Sequence, residues 1–464
     1  MQYRLVESSP GNRRLLLLYA GWAMDSRPFS SLSYPGYDVA VVWDYTDLES
    51  PLPISDDYCE ICLIAWSYGV YAAAVTLGCF SSRITRRIAV NGTMYPIDGN
   101  RGIPENVFDA TLNSMDSRNL RKFYRRMFQD KDCFARFWEV SPRRSTDDVV
   151  LELKSFGHHV RSGSHTGQDF RWDYAIIGRN DAIMPPGNQR AAWEGVTRIQ
   201  MTDDAHMVDF QALIDRYLID KALVANRFSR ASCSYSLSAT AQSEAARSLW
   251  RLHCSRPMAS EPFDILEVGS GSGLMTGIIS GAYPDSRLLM WDLVDYGVGH
   301  GHNMRFVACD AETEIRTLAD SSIDMIVSAA TIQWFNSPLQ FICECSRVLR
   351  PGGRLLVSSF GEDNLSELTS ITGVALPALS LEDIAMRLPA SMVLSASHKE
   401  TLDCPFDTVT EALTHLRDTG VNALRYSGKS MASVRKVLSC YPLGDDGKCH
   451  LYYRPFYMVI EKIQ

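Results

Sequence analysis

Ser67 stands in Ala65-Trp66-Ser67-Tyr68-Gly69, directly after one apolar run and at the head of another. A serine at a sharp strand-to-helix turn needs small residues two before and two after it, because the backbones come close there; Ala65 and Gly69 supply them. A hydroxyl is a weak nucleophile until a base takes its proton and a third group orients that base. Asp181 follows the apolar run Ala175-Ile-Ile, and His206 follows in Asp204-Ala-His206-Met. Both sit where loops leave strands, in the order serine, acid, histidine. By itself a loop histidine is more often a surface residue; the elbow and the Asp181 loop in this order give His206 a role. Asp203, Asp204 and Asp209 read as solvated loop charges, and His158 and His159 have no matching context. Acyl transfer also needs backbone donors for an oxyanion. The amide of Tyr68 is one candidate. The amide of Trp22, in a loop opened by Gly21, is the other, whether or not its ring simply packs.

A second constellation begins at Glu267-Val-Gly269-Ser-Gly271-Ser-Gly273, which joins an apolar run to a helical pattern. Such glycines allow a tight turn and close approach of backbone to a ligand. The spacing departs from the dinucleotide pattern, whose third glycine comes later. Asp292 closes the next apolar run. Asp310 and Ala311 follow a third run, Ile323–Val327 is a fourth, and Leu349-Arg350-Pro351-Gly352-Gly353 turns a helix into a strand. Together these resemble the class I S-adenosylmethionine-dependent methyltransferases. The resemblance implies that Asp292 accepts from both ribose hydroxyls and that Asp310, with Ala311 beside it, meets the adenine amine. Glu267 can orient the glycine loop and the donor's amino group, and need not act as a base.

These residues need strands to carry them. Leu15–Ala20, Val39–Trp43, Ile61–Trp66, Ile88–Val90 and Tyr174–Ile177 are short and nearly all apolar, as in strands covered on both faces. Asn91–Asp169 loses that rhythm and reads as a polar helical insertion. A second rhythm comprises Ile265–Val268, Leu288–Trp291, Arg305–Ala308, Met325–Val327 and Arg354–Ser358, preceded by a helical appendage at Phe228–Leu252. The alternation predicts an α/β chain, divided near 221–227 into units 1–221 and 222–464. A length of 464 residues accommodates both. A net charge of −8 argues against a generally basic nucleic-acid binder. Twelve scattered cysteines and no apolar leader suggest reduced thiols in a cytoplasmic protein. Cys59-x-x-Cys62 reads as a pair of structural thiols, with no metal site expected. Ile61–Phe80 is long enough to imitate a membrane span, but its Trp-Ser-Tyr-Gly interruption predicts strand, turn and helix.

Gly21-Trp22-Ala-Met-Asp25, Trp66-Ser67-Tyr68-Gly69-Val70, the Asp181 loop and Ala205-His206 resemble the BioG-type pimeloyl-[acyl-carrier-protein] methyl ester esterases. The resemblance implies an α/β-hydrolase fold with a helical lid at about 94–168, acting in biotin synthesis. Arg118–Arg144 holds nine basic and three acidic residues. Arg121, Lys122, Arg125 and Arg126 are therefore candidates to dock an acidic acyl carrier protein, a solvated helix face being the plain alternative. Phe228-Ser-Arg230-Ala231, Tyr235, Gln242, Gln333-Trp334-Phe335 and Ser358-Ser-Phe360-Gly361-Glu362, with Asn364-Leu365, resemble the BioC-type malonyl-[acyl-carrier-protein] O-methyltransferases. That implies S-adenosylmethionine as donor and a Tyr235 that closes over it, or else packs between helices. The two resemblances together suggest a bifunctional fusion. A generic carboxylesterase joined to a small-molecule methyltransferase, or a fusion with one half reduced to a binding module, stand as alternatives.

Overall fold

The computed structural model describes all residues except 81–82, 164–169, 239, 299–300, 362, 373–377, 420–436 and 464, and side chains except those of 79, 231–238, 240 and 372. The chain divides into two compact units, Met1–Ile214 and Asp215–Gln464.

In the first unit the apolar runs become strands: β1 Gln2–Glu7, β2 Arg14–Tyr19, β3 Asp38–Trp43, β4 Glu60–Trp66, β5 Ile84–Val90, β6 Tyr174–Gly178 and β7 Arg198–Thr202. They form one sheet in the order β1-β3-β2-β4-β5-β6-β7. Only β1 runs antiparallel to its neighbour. The centre is fully buried: every residue of β4 and Leu15–Tyr19 of β2. That continuous burial is why these strands read as unbroken hydrophobic runs. Helix α1, Tyr68–Thr76, leaves β4 at once, so the span-like stretch is strand, turn and buried helix. Among the described residues no helix is long and apolar enough to cross a membrane. The polar insertion folds as α2 Glu105–Asn113, α3 Ser117–Arg126, α4 Lys131–Glu139 and α5 Thr146–Ser162. Asp116, Asp130 and Ser145 cap α3, α4 and α5 through their side chains. Helix α6, Pro186–Trp193, and α7, Phe210–Tyr217, follow β6 and β7. Cys62 is buried and Cys59 half-buried, its thiol donating to the Arg13 carbonyl. No group of three or more metal-ligating side chains occurs among the described residues.

The second unit opens with α8, Lys221–Ser238, and α9, Thr240–Cys254. Its strands are β8 Asp264–Val268, β9 Arg287–Asp292, β10 Met304–Ala308, β11 Ile323–Ala329, β12 Leu349–Phe360, β13 Met392–Lys399, β14 Leu402–Phe406, β15 Cys449–Tyr453 and β16 Pro455–Lys462. The main sheet runs β10-β9-β8-β11-β12-β16-β13, and β14 pairs with β15 separately. Five strands are parallel; β16 and β13 close one edge antiparallel. Helix α10 is Leu274–Ala282, α11 is Ala311–Glu314 and α12 is Pro338–Val348. The division between units falls a few residues ahead of the boundary expected at 221–222. The Asn336 side chain donates to the Ile219 carbonyl and accepts from the Ile219 amide, and Lys221 pairs with Asp310 and Glu312. Those bonds make 219–221 part of the second unit.

Candidate active sites

Ser67 stands between β4 and α1, at φ 57° and ψ −126°, a conformation that costs a side-chain-bearing residue about 1–3 kcal/mol. The turn is held from outside. The Ser67 amide donates to the Val90 carbonyl at 2.9 Å. A Cβ on Gly69 would lie 2.6 Å from the Tyr19 and Ala20 carbonyl oxygens, so that position admits only glycine without backbone movement. The strained turn aims the hydroxyl at His206, whose Nε2 is 3.1 Å from Ser67 Oγ. His206 Nδ1 is 2.9 Å from Asp181 Oδ2. A carboxylate can only accept, so the shared hydrogen sits on Nδ1 and the neutral ring presents the Nε2 lone pair to the serine. Asp181 is fixed in turn: Oδ1 accepts from the Ile183 and Met184 amides at 2.8 and 3.0 Å, and Oδ2 from Gln189 Nε2 at 2.8 Å. All three side chains are buried.

Two contributors escaped the sequence reading. Gln189, on α6, is fully buried and donates to both Asp181 and the Met184 carbonyl. Asn91, at φ 44°, donates to the carbonyls of Ala205 and His206 and accepts from the Gly178 amide. Trp66 Nε1 donates to the His206 carbonyl as well. Nothing in sequence marks Gln189. Asn91, a polar residue closing the Ile-Ala-Val run of β5, was a usable signal.

Ser67, Tyr68 and Trp22 share one pocket with Ile103, Val107, Phe108, Phe123 and Leu153 of the helical insertion, a space of about 470 Å³ open to solvent. Among the described residues neither the Trp22 nor the Tyr68 backbone amide donates within the protein. The Trp22 ring packs as well, with Nε1 donating to the Val149 carbonyl. The four basic candidates of α3 separate. Arg121 lies over the Trp138 ring at 4.9 Å, Lys122 is exposed, and Arg125 donates to the Phe128 carbonyl. Arg126 donates to the Ala182 carbonyl and lines the serine pocket itself. None has a carboxylate partner among the described residues.

In the second unit, the loop between β8 and α10 carries Gly269, Gly271 and Gly273 with φ of 77°, 50° and 85°. A Cβ on Gly269 would meet the Thr331 side chain at 1.9 Å. Asp292, at the end of β9, accepts from the Gly271 amide at 2.9 Å and the Val294 amide at 3.0 Å; burial pushes its carboxyl up. Glu267 is buried, with Oε2 accepting from Thr276 and Oε1 unpartnered. Burial raises it to about 8, so it is mostly protonated at neutral pH. Asp310 caps α11 through the Glu312 amide and pairs with Lys221 Nζ at 3.2 Å. Gly269, Gly271, Asp292, Asp310, Ala311 and Phe228 border a cavity of about 700 Å³ open to solvent, within the range of small-molecule sites. The buried hydroxyls of Ser270 and Ser272 are, like Glu267 Oε1, unpartnered. Tyr235 belongs to α8, but its side chain, like that of Ala231, lies outside the described residues, as does Glu362.

Residues 3–214 match the family described as pimeloyl-ACP methyl esterase BioG. Residues 266–357 match a methyltransferase domain family. Over 465 aligned residues the chain is 30% identical to a malonyl-[acyl-carrier protein] O-methyltransferase of Bacteroides fragilis (strain 638R), spanning 98% of this chain and 94% of that protein. A protein of the same description from Acinetobacter baylyi is 29% identical over 255 residues, 53% of this chain and 98% of the relative. Among solved structures, BioG from Haemophilus influenzae is 29% identical, with a TM-score of 0.40, covering 45% of this chain and 94% of that one.

Proposed function

Because the chain belongs to the malonyl-[acyl-carrier protein] O-methyltransferase family, in a form that carries a BioG-type unit ahead of its methyltransferase, we propose that it is a bifunctional enzyme of biotin synthesis. The second unit methylates the free carboxylate of malonyl-[acyl-carrier protein]. The first, an α/β-hydrolase with the insertion as its lid, cleaves pimeloyl-[acyl-carrier protein] methyl ester to the free acid and methanol. The observation that carries the second activity is the continuous relay from Ser67 through His206 to Asp181.

Ser67 Oγ attacks the ester carbonyl while its proton passes to His206 Nε2. Asp181, held by three donors besides the histidine, stabilises the imidazolium without taking its proton. The Trp22 and Tyr68 amides receive the oxyanion. Collapse of the tetrahedral intermediate expels methoxide, which leaves as methanol with the proton from His206. Water, deprotonated by the same ring, then releases the pimeloyl carboxylate and restores Ser67.

The residues of the second unit fit S-adenosylmethionine. Asp292 serves the ribose hydroxyls, Asp310 and Ala311 an adenine edge, and Gly269 and Gly271 bring backbone up to the cavity, a lining that supports this reading. Bound there, the donor supplies an electrophilic methyl group. The acceptor carboxylate is already ionised at neutral pH and needs no base. The task of the chain is alignment and exclusion of water.

The test is the intact mass of pimeloyl-carrier methyl ester after exposure to the protein, with Ser67→Ala as control. Loss of one methylene mass with wild type alone supports the assignment. No loss, while a nitrophenyl ester is still cleaved, replaces it with a general esterase.

A further inference from the structure

We propose that Lys221 is a positioning residue of the donor pocket: its ammonium joins Asp310 of the pocket wall to Glu312 behind it, fixes the Asp310 carboxylate, and ties the start of α8 across the cavity as a roof. This rests on the reading of that cavity as the donor site. Lys221 Nζ lies 2.6 Å from Glu312 Oε2 and 3.2 Å from Asp310 Oδ1, and 4.5 Å from the centre of the Phe335 ring. All three charged side chains are largely buried, at 9%, 9% and 13% exposure for Lys221, Glu312 and Asp310. Burial disfavours the ammonium, but the two carboxylates outweigh it and raise its pKa.

The pair is one link in a longer tie. Glu312 also accepts from the Asn336 and Ser337 amides, at 3.0 and 2.6 Å, and Asn336 holds both backbone groups of Ile219. Residues 219–221 are thereby fastened to the turn after β11 and to α11. From that anchor Val224, Ala225 and Phe228 follow at helical spacing, and these three, with Lys221, border the cavity. Phe228 meets the Trp334 ring edge-on at 5.6 Å. An ion pair that only held two core elements together would not need to open the pocket-facing stripe of a helix. The cluster of two carboxylates and one ammonium carries one net negative charge, which suits a ligand that donates hydrogen bonds at Asp310, as an exocyclic amine does.

Calorimetric titration of the full chain with S-adenosylmethionine and S-adenosylhomocysteine tests this. Lys221→Met should bind about tenfold more weakly than wild type. Lys221→Arg should stay within about threefold. Should Lys221→Met fail to fold, as judged by its melting transitions, Lys221→Gln carries the same comparison. Wild-type affinity in the neutral variant overturns the proposal. So does an equal loss in the neutral and arginine variants, the mark of a purely structural contact. Absence of binding by wild type overturns the donor-site reading itself.

Discussion

Replacing Ser67 by glycine should stabilise the first unit relative to replacing it by alanine, the reverse of the usual order. Both changes delete the hydroxyl and its bond to His206, so that loss cancels in the comparison. Alanine keeps a Cβ at φ 57°, ψ −126° and with it a strain of about 1–3 kcal/mol. Glycine releases the strain but gives the unfolded chain extra freedom, a cost of about 0.4–1 kcal/mol. The central expectation is a glycine variant more stable by about 1 kcal/mol. With a urea slope of about 2 kcal/mol/M, that is a midpoint shift of about 0.5 M. Tryptophan fluorescence suits the assay, because the Trp66 ring lies 5.2 Å from the His206 ring, tilted by 44°, and directly precedes this turn. Neither variant should cleave esters. An alanine midpoint equal to or above the glycine midpoint would show that the turn is not strained, and the argument for a serine forced outward by its backbone would go with it.

Gln189→Met removes a donor from Asp181 and also the buried, unpartnered Gln189 Oε1. Stability should therefore change by less than about 1 kcal/mol. The ester-cleaving kcat should fall about tenfold, because the Ile183 and Met184 amides still hold the carboxylate; a thousandfold loss, or none, contradicts that division of labour. For Glu267 the folded pKa is raised from the ordinary 4.5 to about 8, so between those values the folded chain holds the proton that the unfolded chain has lost. Its contribution is complete below pH 4.5 and declines as pH rises to 8. Thermal melts of wild type and Glu267→Gln should accordingly coincide near pH 5 and separate toward pH 8, with the glutamine variant higher; parallel curves refute the shift. Charge reversal of Arg121, Lys122 and Arg125 should raise KM for carrier-bound esters and leave small nitrophenyl esters unaffected. Arg126→Glu, at the pocket lining, should impair both classes, as steady-state kinetics on the two substrates would show.

The parallel cores were legible because their strands are buried on both faces and so leave unbroken apolar runs, as in Leu15–Tyr19 and Ile61–Trp66. Edges were not. β1 and β13 are largely exposed and leave no such run. β16 does, at Phe456–Ile460, but with no helical pattern beside it to mark another α/β unit it was passed over, and the antiparallel closure of the second sheet went unread. Site residues were legible where chemistry restricts the type at a fixed place after a strand: Ser67, Asp181, His206 and the glycines before α10. Residues that act through another side chain have no such restriction. Gln189 and Lys221 look like ordinary helix residues until the fold brings them to Asp181 and Asp310. Arg126 belongs by sequence to a basic run, and only its rotation about α3 sets it against the pocket rather than with its neighbours.

A chain that makes a methyl ester in one unit and cleaves one in the other must keep the two from cancelling, and the serine pocket offers a physical basis. On the proposed reading its substrates differ by four methylenes, the length added to a malonyl group in two rounds of elongation. The walls leading to Ser67 are mostly apolar, formed by Ile103, Val107, Phe108, Phe123, Leu153 and Ile183, with Thr111 and Arg126 as their polar members. Burying four further methylenes there contributes about 3 kcal/mol, roughly a 200-fold preference for the long ester. The short ester meets a second penalty. For its carbonyl to reach Ser67, the polar prosthetic arm of the carrier must enter the same apolar stretch, where each amide without a partner costs about 1–3 kcal/mol. Both terms act on the same step, so selectivity should appear in kcat/KM and should fall when the walls are made polar. Competition between malonyl and pimeloyl carrier methyl esters, in wild type and Phe108→Asn, measures it. Equal cleavage of the two by wild type would leave the methyl group unprotected and refute this account of the fusion.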